Sequence, residues 1–401
     1  MIDVLMDFNA NGSLVSAALD TEQVSGLTHN YYYYPARFSP RFVSTAINVL
    51  TSPGDLVVDP FVGGGTTLVE SMVAGRQSVG LDISSLATFV SRVKTTILDE
   101  DDNASIRDWL VQLPSYMNLR RPPCRPSEWI ANGYQRNISD AKTWPIRKSL
   151  ELALSQIIKL DNQRQRDFAR CIVLKTGQWA VHRRKQIPTA REFRHRLVSY
   201  GLQMLESMDD FATQVNECAE KNQNAVSQST CLTVDATEFD FSKLPDIVTK
   251  PRLILTSPPY AGVHILYHRW QINGRKETPA PFWIADCLDG QGASHYTMGG
   301  RHHPDLYRYF SGVYDSFKAI SSWMDADTQI VQMVGFSDRS WQLPKYLDTL
   351  SRCGLTEVKH PSMSNSGDGR LWRSVPNRKW YANRPQTVES NSEVVLFHRL
   401  T

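Results

Sequence analysis

The hydrophobic and polar positions of the first hundred residues alternate between strand-like and helix-like patterns. The apolar runs in DLVVDPF and QSVGLDIS are typical of buried strands, because they are short and bounded by turn residues. Helical spacing predicts helices in PRFVSTAINVL, with Ser39 as N-cap and Pro40 in the first turn, in TTLVESMVAG, which Gly75 ends, and in SLATFVSRVKTTIL. This order of strands and helices predicts a parallel sheet.

The α/β pattern stops near residue 100 and resumes near residue 229. Residues 101–228 carry long segments of helical period, such as REFRHRLVSYGLQMLESMDDF. Residues 229–401 return to strands in CLTVDATEF, RLILTSPP, TQIVQMVGF and EVVLFHRL, and TEVKHP is expected to pair antiparallel with the last of these. We therefore predict a mostly parallel α/β core in two parts, residues 1–100 and 229–401, separated by a helical insertion over 101–228.

Charge is distributed unevenly along this chain of 401 residues. Its 41% hydrophobic and 21% charged residues are typical of a globular protein, and its length allows two or three domains. The net charge of +3 says little, but the segment from Arg107 to Arg196 has 19 Lys and Arg residues against 7 Asp and Glu. Such an excess indicates a surface for phosphate groups, although a solvated helical surface would show it too.

Cysteine usage and hydropathy argue against several protein classes. The six cysteines form no C-x-x-C pair, which is typical of thiols in a reducing cytosol and argues against a disulfide framework or a zinc site. The N-terminus carries acidic residues and no basic stretch, so no signal peptide is predicted, and no run approaches 18 apolar residues. We therefore expect a cytoplasmic protein without a bound metal.

The segment DPFVGGGTT, from Asp59 to Thr67, follows a predicted strand and opens a predicted helix. Glycines there let a ligand approach the backbone, and the helix N-terminus presents N–H groups. The turn has no Lys for a phosphate loop, and Leu68 stands where a dinucleotide fingerprint needs its third glycine. The pattern indicates a ligand at the strand ends, with a structural turn as the alternative.

Two aspartates follow strands of the same predicted sheet. Asp82 ends the second strand, where a carboxylate can accept hydrogen bonds from both ribose hydroxyls of a nucleoside. The alternative is that Asp82 caps the helix that starts at Ser84. Asp235, in LTVDATEF, could accept from an adenine amino group, although alone it would be read as a turn aspartate.

The segment TSPPY, from Thr256 to Tyr260, follows the apolar strand RLILT. Consecutive prolines end the strand rigidly and remove two N–H donors, so acceptor oxygens of Ser257 and Pro258 dominate. Such acceptors suit an amino group, whose nitrogen lone pair they would aim at a methyl donor. Tyr260 offers a flat ring for stacking an extruded base. A proline-rich turn that only ends a strand is the alternative.

DPFVGGGTT, GLDIS, VDATEF and TSPPY, together with HNYYYYPARFSP before the glycine turn, resemble the exocyclic-amino DNA methyltransferases. The resemblance covers residues 29–98 and 229–400. It implies a Rossmann-like methyltransferase core, S-adenosyl-L-methionine as cofactor, and methylation of a flipped base in double-stranded DNA. It also implies a cognate restriction or defence subunit as a partner.

The resemblance implies a role for each matched residue. Asp82 would hold the ribose hydroxyls of the cofactor, and Asp235 its adenine amino group. The target base would be held by Ser257, Pro258, Pro259 and Tyr260. Further cofactor contacts would come from Tyr34, Pro35, Phe38, Asp59, Pro60, Phe61, Gly63, Gly65, Thr66, Ile83, Ala236 and Thr256.

Two insertions depart from the simplest family layout, namely residues 101–228 and the stretch 261–305 after TSPPY. Either is a candidate for target recognition, and the basic, aromatic segment 369–386 is a loop at the sheet edge or a DNA-facing flap. The predicted DNA contacts combine basic residues with nearby aromatics: Arg183, Arg184, Lys185, Arg269, Arg301, His302, Arg378 and Lys379.

The first residue of the tetrad indicates which base is the substrate. A serine at the head of the tetrad is typical of N4-cytosine members, whereas N6-adenine members more often carry Asp or Asn there. We therefore expect N4 of cytosine, with N6 of adenine as the alternative. An RNA-base methyltransferase and a catalytically inactive DNA-binding subunit are further alternatives, and the missing third glycine and TSPPY argue against a nicotinamide oxidoreductase.

Overall fold

The computed structural model describes residues 8–34, 37–122, 128–222, 227–244, 247, 249–261, 269–272, 274, 276–289, 296, 298, 305–374 and 392–401. Its strands are β1 (Leu56–Asp59), β2 (Gln77–Asp82), β3 (Ser229–Thr233), β4 (Leu253–Thr256), β5 (Trp270–Ile272), β6 (Lys276–Thr278), β7 (Gln329–Gly335), β8 (Leu355–Val358), β9 (Leu371–Ser374) and β10 (Ser392–Leu400). Its helices are α1 (Phe8–Leu19), α2 (Pro40–Leu50), α3 (Thr66–Val73), α4 (Ser85–Thr95), α5 (Glu100–Tyr116), α6 (Glu128–Ala131), α7 (Trp144–Ile157), α8 (Gln163–Val181), α9 (Ala190–Lys221), α10 (Ala280–Ala285), α11 (Tyr307–Trp323) and α12 (Arg339–Arg352).

The central sheet has the strand order β3-β2-β1-β4-β7-β10-β8, and β9 pairs with β10. Strands β3, β2, β1, β4 and β7 are parallel, whereas β10 runs antiparallel to both β7 and β8. The predicted α/β class, with a mostly parallel sheet and an antiparallel end strand, is therefore confirmed. The chain leaves β1 for β2 on one side and returns as β4 on the other, which creates a crevice at the strand ends.

Helices cover both faces of this sheet. Val57 of β1 and Leu255 of β4 pack with Phe42 of α2 on one face. Successive residues of a strand point to opposite faces of the sheet. Val58 and the strand residues that point to the same side pack with Phe317 of α11 on the opposite face. Helix α2 begins as predicted, since Ser39 Oγ accepts from the Phe42 amide and Pro40 occupies the first turn.

The segment between α4 and β3 is helical, as predicted, and forms α5 to α9. Helix α9 contacts α3, and α8 contacts α4, so this layer rests on the helices of one face of the sheet. The hairpin β5–β6 and the helix α10 were not predicted from the sequence. Strand β5 and helix α10 both contact α8. In segment 369–386, Leu371–Ser374 form β9, and residues 375–386 lie outside the described residues. No helix of the described part is long and apolar enough to cross a membrane.

Trp270 of β5 fixes the hairpin against α8. Its indole is 1% exposed, and its Nε1 donates to Tyr32 Oη at 3.0 Å. Gly177 of α8 leaves room for this ring, because a Cβ there would stand 2.6 Å from Trp270 Cη2. The close approach of helix and ring therefore requires glycine.

Gly177→Ala is expected to lower stability by about 1–3 kcal/mol through overpacking against Trp270. Gly12→Ala in α1 is the matched control, since a Cβ there meets nothing within 4 Å and helix propensity favours alanine. Thermal unfolding of both variants measures the difference. A Gly177→Ala midpoint equal to or above that of Gly12→Ala would contradict the packing described for this hairpin.

Candidate active site

A cavity of about 500 Å³ opens at the carboxyl ends of β1, β2, β3 and β4. Its volume lies within the range of small-molecule sites. The glycine turn, both strand-end aspartates and the TSPPY segment reach the same space. Its walls are formed by Tyr34, Arg37, Phe38, Asp59, Pro60, Phe61, Val62, Gly63, Gly64, Thr66, Thr67, Asp82, Ile83, Ser84, Val234, Asp235, Ala236, Thr237, Ser257, Pro259, Tyr260, Tyr296, Met298, Gly312, Asp315 and Ser316.

Asp59, at the end of β1, joins the glycine turn to the TSPPY segment. Its carboxylate accepts from Thr256 Oγ1 at 2.6 Å, from Thr67 Oγ1 at 2.6 Å and from the Phe61 amide at 3.1 Å. The side chain is buried, and burial raises its pKa to about 6 despite these three donors. The carboxylate therefore fixes the relative position of two motifs that are 197 residues apart.

The glycine turn passes close to Tyr34 and α4. A Cβ on Gly64 would stand 3.3 Å from Tyr34 Cβ, and one on Gly65 would stand 2.7 Å from Ser91 Oγ. Gly65 also has a φ of +77°, a conformation that favours glycine. Lys94 is buried, which lowers its pKa to about 7, and its Nζ donates to the Gly64 carbonyl at 2.5 Å. The backbone of the turn is thus held from both sides.

Asp82 ends β2 and faces the cavity. Its two carboxylate oxygens accept from the amides of Gly63, at 3.0 Å, and Ser84, at 2.8 Å. Ser84 is the N-cap of α4, because its own Oγ accepts from the Ala87 amide, so capping does not account for Asp82. Burial raises the pKa of Asp82 to about 6, and the nearby charge of Asp59 adds to the shift. Each oxygen keeps a lone pair for a ligand hydroxyl.

Asp235 follows β3 and lines the cavity on its far side. Its Oδ1 accepts from the Thr237 amide at 2.9 Å and from Thr237 Oγ1 at 2.8 Å. The residue is therefore a turn aspartate, and it also presents its carboxylate to the cavity. The turn-aspartate interpretation is thus confirmed, and the contact with an adenine amino group stays a prediction.

The TSPPY segment presents a hydrogen-bonded serine and tyrosine. Ser257 Oγ donates to the Met333 carbonyl at 3.0 Å and lies 3.1 Å from Tyr260 Oη. Tyr260 Oη donates in turn to Glu393 Oε1 at 2.7 Å. The two hydroxyl protons thus have a carbonyl and a carboxylate as acceptors, which leaves Ser257 Oγ with acceptor capacity on the cavity side.

Two residues that the sequence analysis did not identify support this segment. Glu393 of β10 is 4% exposed, and its Oε2 lies 3.2 Å from Arg373 Nε, so the acceptor of the Tyr260 proton is itself paired. Tyr309 Oη of α11 donates to the Pro259 carbonyl at 2.8 Å. The sequence could have indicated Glu393, because it is an acidic residue at the start of the apolar run EVVLFHRL. A buried acid usually has a partner, so a hydrogen bond or an ion pair would be expected for it.

Most of the predicted site residues lie together in the cavity wall. Gly65, Thr256 and Pro258 do not reach it: Gly65 packs against Ser91, and Thr256 is buried behind Asp59. Pro35 lies outside the described residues. Several lining residues were not predicted as site residues from the sequence: Arg37, Val62, Gly64, Thr67, Ser84, Val234, Thr237, Tyr296, Met298, Gly312, Asp315 and Ser316.

The predicted DNA-contacting residues have different surroundings. Arg183, Arg184 and Lys185 are exposed directly after α8. Arg269 is instead held in an ion pair, with its Nη2 2.6 Å from Asp289 Oδ2 and only 18% of its side chain exposed. The Arg269 guanidinium, which we expected to contact a DNA phosphate, is thus paired with Asp289, 20 residues further along the chain. Four predicted contacts lie outside the described residues: Arg301, His302, Arg378 and Lys379.

The charge of the cavity wall suits a ligand with a net positive charge. Among the described residues, four aspartates (Asp59, Asp82, Asp235 and Asp315) line it along with one arginine, Arg37, whose Nη1 donates to the His29 carbonyl at 3.2 Å. S-adenosyl-L-methionine carries a sulfonium, an ammonium and a carboxylate, so its charges match an acidic cavity with one guanidinium. Asp82 and Asp235 also lie at the ends of two adjacent strands, β2 and β3, where both carboxylates can accept hydrogen bonds.

Comparison with known proteins supports the family that these motifs indicated. The N6/N4 methyltransferase family model, described as DNA methylase, matches residues 8–88. The type II methyltransferase M.MjaII of Methanocaldococcus jannaschii is 32% identical over 89 residues, which are 22% of this chain and 17% of that protein. The type II methyltransferase M.MvaI of Kocuria varians is 36% identical over 76 residues, which are 18% of this chain and 17% of that protein.

A solved structure, a TehB-like SAM-dependent methyltransferase from Corynebacterium glutamicum, aligns with 88% of this chain and 85% of its own. Its TM-score of 0.31 and 10% identity are too low to support a conclusion. The family model is matched by residues 8–88 alone, and each of the two type II methyltransferases is matched over 17% of its own length. The comparisons therefore show that this part of the chain is similar to DNA methyltransferases.

Proposed function

We propose that the protein transfers a methyl group from S-adenosyl-L-methionine to N4 of a cytosine that is flipped out of double-stranded DNA. One observation carries the proposal: Ser257 and Tyr260 line the same cavity as Asp82 and the glycine turn. A base held by the first pair and a cofactor held by the second group would share one enclosed space. We further propose that a cognate restriction or defence subunit acts on the same DNA.

Ser257 would position the amino group of the target base. Its hydroxyl proton is directed to the Met333 carbonyl, so the oxygen can accept one amino N–H. Pro258 and Pro259 have no N–H, so neither residue adds a backbone donor that would compete with the amino group. When bound, the cofactor supplies an electrophilic sulfonium methyl group. Accepting the amino protons localises the nitrogen lone pair, so this chain contributes mainly positioning and electrostatics.

The base preference rests on the head of the tetrad. A neutral serine there accepts from an amino group without adding a charge, as is typical of the N4-cytosine members that the sequence resembles. Glu393 is the nearest carboxylate in the chain of hydrogen bonds from Ser257, and it reaches the site only through the Tyr260 hydroxyl. These contacts favour cytosine N4 in the proposal, and adenine N6 is the alternative outcome of the test.

The activity can be tested with the purified chain and a cofactor labelled in its methyl group. We expect label to enter duplex DNA and not a folded RNA of the same base composition. Label in RNA alone would support the RNA-base alternative. Tight cofactor binding without transfer to DNA or RNA of mixed sequence would support a catalytically inactive DNA-binding subunit, and either result would overturn the proposal.

Tyr260→Ala is expected to lower kcat of methyl transfer by about 100-fold, because the base loses a stacking surface worth about 1–3 kcal/mol and Ser257 loses a neighbour. Tyr260→Phe keeps the ring and is expected to lose only several-fold. Steady-state transfer to duplex DNA measures both variants. Equal activity of Tyr260→Ala and the unmodified protein would refute the stacking role.

Cofactor affinity is expected to decrease as the pH falls through about 6, by up to tenfold per pH unit, because the carboxylate of Asp82 is then protonated. The folded-state pKa is raised above 3.8, so protonation of Asp82 stabilises the fold relative to neutral pH. Protonation of Asp82 between pH 7 and 5 therefore does not destabilise the fold. A loss of cofactor affinity in this range would reflect the loss of the Asp82 charge. Calorimetric titrations across this range, with melting curves in the same buffers, test the prediction, and a constant affinity would contradict it.

A further inference from the structure

Five side chains of the helical layer alternate between cation and aromatic ring. The guanidinium carbons of Arg184 and Arg196 lie 4.9 and 5.0 Å from the ring centre of Trp179. Arg196 also lies 5.3 Å from the ring centre of Tyr200, and Lys175 Nζ lies 5.0 Å from that ring. We call this row the cation–aromatic ladder: Arg184, Trp179, Arg196, Tyr200 and Lys175.

The surroundings of the ladder contain few acids. Between Arg170 and Glu206 the sequence has seven Lys and Arg residues and one acid, Glu192. That carboxylate accepts from the Thr189 amide at 2.7 Å and from its hydroxyl at 2.8 Å, as part of the N-cap of α9. Among the residues that the structure describes, no acid forms an ion pair with a cation of the ladder. The positive charge of this surface is therefore not neutralised locally.

The arrangement brings like charges close together. Arg184 and Arg196 contact the same indole, so their guanidinium carbons are within about 10 Å of each other. Both arginines are exposed. Their mutual repulsion is only partly offset by the cation–π contacts, which are worth about 0.5–1 kcal/mol each at exposed sites. A ligand with regularly repeated negative charge would offset it fully.

The ladder is connected to the mouth of the cavity. Gln178, beside Trp179 on α8, donates from Nε2 to the Tyr33 carbonyl at 2.9 Å and accepts from the Tyr33 amide at 3.0 Å. The next residue, Tyr34, lines the cavity, and Arg37 both lines it and stacks on the half-exposed ring of Tyr33 at 5.5 Å. Gln178 therefore joins the helix that carries Trp179 to the segment that forms the cavity wall.

We propose that the cation–aromatic ladder binds consecutive phosphates of the double-stranded DNA that flanks the flipped base. The inference rests on the function proposed above. Stacking on a ring holds a guanidinium in a fixed orientation before binding, which reduces the conformational entropy lost on contact with phosphate. The phosphates of a DNA backbone carry regularly spaced negative charges, which match the successive cations of the ladder. A guanidinium can donate two parallel N–H groups to one phosphate.

The double variant Arg184→Gln with Arg196→Gln tests this surface. The slope of log affinity against log salt for a duplex oligonucleotide is expected to fall by about two, because each lost phosphate contact removes about one. We expect the affinity at moderate salt to fall at least about tenfold and cofactor affinity to stay unchanged. Arg352→Gln is the matched control, since Arg352 is exposed and stacks on Tyr314 at 5.1 Å, but belongs to α12 on the other face of the sheet.

Arg196→Lys separates charge from orientation. Lysine keeps the charge but not the flat stacking group, so its salt slope is expected to stay near that of the unmodified protein while affinity falls a few-fold. An unchanged slope for the double variant, while the unmodified protein binds and methylates the duplex, would overturn the ladder and leave the proposed function intact. Failure of the unmodified protein to bind the duplex would instead overturn the proposed function.

Discussion

Ser257→Ala is expected to lower kcat for methyl transfer at least about 100-fold, as is usual when a group that acts on the developing charge is removed. The dissociation constant of S-adenosyl-L-methionine should stay within about twofold. Ser257 Oγ is directed by the Met333 carbonyl at 3.0 Å and stands beside Tyr260 Oη at 3.1 Å, so its acceptor side is set before a base arrives. Alanine removes that acceptor and, with it, the hydrogen bond from Ser257 to the Met333 carbonyl.

The matched control for Ser257→Ala is Ser322→Ala, at an exposed position near the end of α11. Ser322→Ala should melt at the temperature of the unmodified protein, and Ser257→Ala at most a few degrees below it, because it loses one hydrogen bond worth about 1 kcal/mol. Single-turnover transfer to duplex DNA at saturating cofactor measures the chemical step. If Ser257→Ala transferred methyl groups at the rate of the control, the serine would have no role in presenting the amino group.

Asp82→Ala is expected to have the opposite profile, with a loss of cofactor affinity of at least about 100-fold. Two hydrogen bonds from ribose hydroxyls to a carboxylate, each worth about 1.5–3 kcal/mol, account for a loss of this size. The Gly63 and Ser84 amides, which donate to Asp82 at 3.0 and 2.8 Å, would also lose their acceptor, so the glycine turn would be held less well. Transfer at saturating cofactor should recover most of the activity.

Asp348→Ala, at an exposed position of α12, controls for the loss of an acidic residue. Titration calorimetry with the cofactor alone gives both dissociation constants, and melting curves show whether the fold survives. If Asp82→Ala bound the cofactor as tightly as Asp348→Ala, the ribose would have to bind elsewhere in the cavity. Together with Ser257→Ala, the pair separates cofactor binding from the transfer step.

The strand and turn motifs were predictable because their signals are local. The apolar run ending at Asp59, the glycines after it and the prolines at Pro258 and Pro259 each restrict the backbone at their own positions. Parallel strands present their carboxyl ends at one edge, so motifs at those ends were expected to meet. The cavity that joins them follows from this topology.

The supporting contacts were not predictable, because they join distant positions. Glu393 accepts from Tyr260 across 133 residues, and Tyr309 donates to the Pro259 carbonyl across 50. No periodicity links such pairs. The ion pair between Arg269 and Asp289 is similar: the sequence showed a basic residue among aromatics, and only the fold shows that an acid neutralises it.

The basic character of the helical layer was visible in composition, but its organisation was not. Arg196 and Tyr200 are four residues apart on α9, so one rung of the ladder follows from helical spacing. The rungs that join Trp179 of α8 to Arg196 of α9 depend on how the two helices pack. The local excess of Lys and Arg predicts phosphate binding, but it does not distinguish the residues of the ladder from the other basic residues of the helical layer.

The identity of the base that receives the methyl group tests the proposed function most directly. Nucleoside mass spectrometry of DNA from cells that express the protein, or its Ser257→Ala variant, measures this directly. We predict N4-methylcytosine in DNA from cells with the unmodified protein and none with the variant. N6-methyladenine in its place would contradict the cytosine assignment, and DNA without any new methylated base would contradict the proposed activity.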